Sequence, residues 1–243
     1  MRATPFSLAF AELARDRFPA IAEVLEQGAL SSADRDHFLL LEPVGRLLRE
    51  IAPEGTGADA LEAHMLMLHH AYRHWAGGGW VYRISDAVLE RAATGKSLTS
   101  HLPRQSLYLQ IPELKVWGTP TPGGAAEPLD GVFVSETVDS GRVAVLAIFG
   151  MREGRPGFSA VGLEGHADSD DATSAEVEVA AAREDGSARF SPTLAGGAEA
   201  GLYSLANAGE LLLLTCRFLA HLPVSQETGA GIPDAMERIV DVD

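Results

Sequence analysis

A chain of 243 residues, 46% hydrophobic and 22% charged, can bury one large core or two small ones without metals or disulfides. Its single cysteine, Cys216, excludes an intramolecular disulfide. The net charge of −15 argues against a generic grip on nucleic acid, because an acidic surface repels a phosphate backbone.

The charge is unevenly placed. Residues 1–100 carry 10 basic and 13 acidic side chains, residues 101–243 carry 9 and 21. Only Lys96 and Lys115 are lysines among the 19 basic residues, an arginine-rich balance of the kind a GC-rich, bacterial-type genome produces. Glu12, Arg15, Asp16 and Arg17 interrupt any apolar run near the start where a secretory signal would need one. The longest apolar stretch, ELLLLTCRFLAHLPV, is too short to span a bilayer and contains Arg217. The expectation is a cytoplasmic protein with no membrane segment.

The first 95 residues read as helical. Phe6, Phe10, Leu13, Ile21 and Leu25 recur at roughly helical spacing until Gly28, with Pro19 as a break. Ser31 and Asp34 resemble a capping box ahead of a second helical region, which Pro43 divides. A third helix runs from about Asp59 to Ala76 and stops at Gly77-Gly78-Gly79. A short one, DAVLERAAT, follows Ser85 as its N-cap and ends at Gly95.

From about residue 101 the pattern changes. SLYLQI alternates, with Leu107, Leu109 and Ile111 on one face, and GTPTPGGAAEP is a loop by composition. LDGVFVSETV and RVAVLAIF flank Asp139-Ser140-Gly141 and predict a hairpin. The second of these is apolar at both parities, as a strand covered on both sides should be. GFSAVGLEG predicts another strand, and AEVEVAAA and SARF around Glu184-Asp185-Gly186 a second hairpin. A long helix over about 200–222 closes the pattern, with Leu202, Leu205, Leu212, Thr215, Cys216 and Leu219 on one face.

Helices, then strands, then a helix is an α+β order. The expected architecture is an N-terminal helical region, then a mostly antiparallel sheet of about five or six strands, closed by a long C-terminal helix. The corresponding division is 1–98 and 99–243, or one continuous domain.

Four of the eight histidines lie between His64 and His74. On a helix of 3.6 residues per turn, His64 falls in the apolar stripe with Leu61, Leu68, Ala71, Tyr72 and Trp75. His69 falls on the solvent side, and His70 and His74 share the flank between them. Imidazoles at i and i+4 can ligate one divalent transition metal, but the intervening residues are Ala71, Tyr72 and Arg73, so the H-E-x-x-H glutamate is missing. Glu164, His166 and Asp168 alternate in LEGHAD and form a second ligand-type set, at a strand end where Gly165 and the Asp/Ser run that follows favour a turn.

Other motifs fail on particular residues. TGKS at 94–97 has Glu90 where a phosphate loop needs its first glycine. The calcium-loop-like DSDDATSAEVEV has Thr173 for the required glycine and Val179 for the bidentate glutamate. No G-x-G-x-x-G and no G-x-S-x-G occurs, and Cys216, set between leucines and Phe218, reads as an inert buried thiol. No cofactor is expected.

Three functions of different class follow. The first, and the favoured one, is a non-catalytic interaction or regulatory protein whose acidic surface engages a basic protein partner. The second is a metal-dependent enzyme using His70, His74, Glu164, His166 and Asp168. The third is a small-molecule-binding domain with a pocket between helical half and sheet, lined by Trp75, Trp80, Tyr82 and Trp117. The apolar stripe of the third helix and the leucine-rich last helix also offer faces for a homo-oligomer.

Overall fold

The structure, a computed structural model, describes residues 79–94, 106–120, 125–137, 142–150, 159–166, 178–182, 203–205, 208–222 and 239–243, with the single positions 19, 49, 50, 70, 71 and 74. Nine strands and two helices are delimited among them. In chain order these are β1 (Val81–Ile84), α1 (Asp86–Thr94), β2 (Leu107–Gln110), β3 (Val116–Gly118), β4 (Glu127–Thr137), β5 (Arg142–Phe149), β6 (Ser159–His166), β7 (Glu178–Ala182), β8 (Tyr203–Ser204), α2 (Ala208–Leu219) and β9 (Ile239–Val242). Most of the helical stretches predicted before residue 70, and the SARF half of the second hairpin, lie outside the described residues.

The expected architecture is corrected on two counts. The sheet is mixed, with parallel pairings at one end, and its main path has seven strands in the order β7-β6-β5-β4-β2-β1-β9. β1 pairs parallel with both β2 and β9, whereas β2 through β7 on that path are antiparallel neighbours. The closing helix expected over 200–222 is not continuous. Tyr203 and Ser204 pair parallel with Val116 and Trp117, the amide of Leu205 donates to the carbonyl of Trp117 at 2.8 Å, and among the described residues of that span the helix is Ala208–Leu219. A short apolar run such as LYSL fits a strand or a helix equally by periodicity, and here pairing with β3 decides it. The chain then returns through β9 to the sheet edge, so a strand follows the last delimited helix.

β1 falls inside the stretch read as helical. It is followed by α1 and then by β2, parallel to β1, which makes a βαβ unit. α1 starts as Ser85 predicts: the Ser85 hydroxyl accepts from the amide of Val88 at 3.3 Å, capping one orphan donor. The hairpin predicted around Asp139-Ser140-Gly141 is present, with β4 and β5 paired down to Thr137 and Arg142. Every residue of β5 from Val143 to Phe149 is buried, as its apolar character at both parities requires.

Strand alternation sorts the sheet into two faces. One carries Tyr82, Ile84, Leu107, Leu109, Val132, Val134, Val143, Val145, Ala147 and Val161, and packs on Val88, Leu89 and Ala92 of α1 and on Leu211, Leu212, Leu214, Cys216, Phe218 and Leu219 of α2. Arg217 ties the two helices together: its Nη1 donates to the carbonyl of Ala92 at 3.1 Å, at the end of α1 where carbonyls lack helical partners. The other face carries Val81, Ser106, Tyr108, Phe133, Ser135, Ala144, Leu146 and Ile148, all buried, together with His70, Ala71 and His74. No helix among the described residues is long and apolar enough to cross a membrane.

Candidate functional site

The chemistry-bearing side chains gather on this second face. Tyr108 and Phe133 are direct cross-strand partners on β2 and β4, their rings edge to face with centroids 4.8 Å apart. His74 stands edge-on to both, 5.7 Å from Phe133 and 6.3 Å from Tyr108, and His70 lies 6.5 Å from Phe133. The expected position of His70 and His74 at the solvent boundary is therefore corrected. They are 3% and 1% exposed, because the helical turn that carries them lies against the aromatic pair.

Burial sets the state of His74. Its Nε2 lies 2.8 Å from the carbonyl oxygen of Trp80, which can only accept, so Nε2 carries the proton and Nδ1 keeps its lone pair. Desolvation outweighs that hydrogen bond and lowers the imidazole pKa from 6.5 to about 4, so His74 is neutral at pH 7. Its Nδ1 has no hydrogen-bond partner among the described residues. The Trp80 carbonyl also accepts from the amide of Tyr108 at 3.0 Å, so one oxygen anchors both histidine and strand.

The far end of Tyr108 reaches a residue that sequence reasoning missed. Its hydroxyl donates to Oδ2 of Asp130 at 2.6 Å, a short bond to a carboxylate. Asp130 sits at a β-bulge: the β4–β5 register shifts between Leu129 and Gly131. The hydroxyl lies over Gly131, where an added Cβ would stand 2.2 Å from it and 2.6 Å from the carbonyl oxygen of Leu109. No side chain fits there. Burial, and secondarily the charge of Glu113, raise the Asp130 carboxyl above its ordinary range, although the Tyr108 hydrogen bond pulls the other way. Burial, with the charge and hydrogen bond of Asp130, pushes the Tyr108 phenol well above 10. The sequence signal was Asp130-Gly131 inside an apolar strand, the combination that marks a bulge. Ser106 and Ser135 extend the polar seam, their hydroxyls 3.0 Å apart and buried.

Glu164 and His166 lie on β6 and pair with Ala144 and Arg142, while Asp168, Trp75 and His64 lie outside the described residues. Among the described residues, no three or more His, Cys, Asp or Glu side chains are grouped to hold a metal ion. Trp80 and Tyr82 stack at 6.4 Å, both against the helix-side core, and Trp117 is on β3 with its indole donating to the carbonyl of Leu114 at 2.8 Å. Cys216 is buried in α2, and desolvation raises its thiol to about 11, which leaves it protonated and a poor nucleophile. Chemically, the described site holds a neutral imidazole and a protonated phenol in an apolar setting, with the phenol bonded to the Asp130 carboxyl at its edge.

No protein-family model, no curated protein and no solved structure matches the chain.

Proposed function

We propose that this chain acts by binding, as a non-catalytic interaction or regulatory protein whose acidic surface engages a basic protein partner. The observation that supports this most is where the charge resides. Among the described residues, no Asp, Glu, Lys or Arg is fully buried, and Asp86, Glu90, Glu113, Asp241 and Asp243 of a chain carrying −15 are exposed to what approaches. A field of one sign steers an oppositely charged partner and raises its association rate, and salt screens it. The titratable groups that are buried favour their uncharged forms: His74 neutral, Tyr108 and Cys216 protonated. A catalytic acid, base or nucleophile needs the opposite tuning, toward the working pH, and of the groups described only the Asp130 carboxyl is raised in that direction.

The test is capture of partners by the full chain from its own cells, washed in parallel at about 50 mM and about 0.5 M salt, with the recovered partner then purified and titrated. The expected result is a stoichiometric basic protein held at low salt and released at high salt. Recovery of no such protein, or binding indifferent to salt, overturns the reading.

A further inference from the structure

We propose that Leu114 is the anchor by which this protein seats itself in an apolar pocket of that basic partner, an inference that rests on the reading above. Two independent anomalies meet at this residue. Leu114 is the one large hydrophobic side chain exposed among the described residues, at 46%, and the one non-glycine residue among them with a positive φ, at 58°. A lone exposed leucine is ordinary. A leucine in the left-handed region is not, because its Cβ crowds the following carbonyl, and a turn that needs this conformation is met at no steric cost by glycine and readily by asparagine.

The neighbours hold the turn in place. The indole Nε1 of Trp117 donates to the carbonyl of Leu114 at 2.8 Å, and the amide of Lys115 donates to the carbonyl of Pro112 at 3.2 Å. The ammonium of Lys115 lies 3.0 Å from Oδ2 of Asp86, the first residue of α1. Backbone strain of this kind persists only where the surroundings over-determine it, and here they fix an apolar side chain outward before any partner arrives. The rim suits the proposed partner. Glu113 is exposed beside Leu114, and Asp86, also exposed, engages the ammonium of the neighbouring Lys115. An aliphatic knob within a net-acidic rim fits an apolar pocket bordered by basic side chains.

The experiment compares the full chain with Leu114→Gly and Leu114→Met, each melted alone and each titrated with the partner captured by the unaltered chain. Leu114→Gly is expected to melt within about 3 °C of the unaltered chain, since relief of the left-handed strain offsets the loss of a half-exposed side chain. It is expected to bind about tenfold or more weakly. Leu114→Met keeps an apolar side chain and is expected to bind within about threefold. A Leu114→Gly chain that binds as before overturns the anchor and leaves the basic-partner reading standing. A Leu114→Gly chain that melts more than about 6 °C lower shows that Leu114 serves packing, and also overturns it. If the unaltered chain captures no salt-sensitive basic partner, both proposals fall together.

Discussion

On the side of α1 and α2 the sheet presents mainly leucine, valine, isoleucine and alanine, with Tyr82 among them, and the helices answer with leucine, valine, alanine, Cys216 and Phe218. On the other side it presents Tyr108, Ser106 and Ser135 among Phe133, Leu146 and Ile148, beneath His70 and His74. Both sides exclude water, but by different means. The helix side needs only volume and shape, and its stabilisation scales with apolar area removed from water. The histidine side also depends on matched polar groups: Tyr108 with Asp130, Ser106 with Ser135, Nε2 of His74 with the Trp80 carbonyl. A misplaced methyl on the first side leaves a gap or a clash, whereas a lost partner on the second leaves a desolvated dipole. The two sides should therefore differ in how they respond to truncation and to pH.

The largest effect is expected on the helix side. Leu109→Ala should cost about 2–5 kcal/mol of stability in urea unfolding, the same at pH 7 and pH 5, because the buried side chain it truncates carries no group that titrates. On the histidine side the comparison turns on His74. Its folded pKa of about 4 lies below the unfolded 6.5, so the unfolded chain takes up the proton first. The stability His74 contributes as a neutral group is fully present above about pH 6.5, falls as pH drops toward about 4, and is flat below. The full loss is about 3 kcal/mol. In a His74→Phe chain, unfolding free energy measured at several pH values should lack that component of the acid limb; an unchanged limb would assign it to other groups.

Gly131→Ala comes next, at about 1–3 kcal/mol, because the new methyl clashes with the Tyr108 ring and hydroxyl and with the Leu109 carbonyl. Tyr108→Phe should cost about 1–2 kcal/mol by leaving the Asp130 carboxyl without its donor. The sharper reading is a double-mutant cycle: Gly131→Ala in the Tyr108→Phe background should keep most of its cost, since the ring Cζ, and the Leu109 carbonyl at 2.6 Å, still meet the methyl. A clearly smaller cost in that background would show that displacement of the hydroxyl dominates instead.

How much of this was legible depends on whether the deciding force is local. β5 could be read because its residues are apolar at both parities, and α1 because Ser85 and the apolar positions Val88, Leu89 and Ala92 are local signals. β1 escaped because four residues after a glycine run carry no period long enough to read, and what makes them a strand is the flanking β2 and β9. The helix expected over 200–222 shortened for a similar reason: Tyr203 and Ser204 are claimed by β3, nearly ninety residues earlier in the chain. At the site, His70 and His74 were found as a pair, but a helical projection cannot say what covers a flank, and the aromatic pair of β2 and β4 does. The Tyr108–Asp130 bond was out of reach, since the bulge that brings the carboxyl to the phenol is a property of the β4–β5 register.

The parallel pairing of β9 with β1 carries a consequence for how the chain is made. Val81 must wait for Ile239, so the outermost rung of the sheet is a contact between segments synthesised far apart in time. Until residue 242 has left the ribosome, one edge of β1 presents bare amides and carbonyls that another nascent or unfolded chain can template upon. Non-local pairings of this span slow folding, and a chain released a few residues short of Val242 should reach its aggregates sooner than its native sheet.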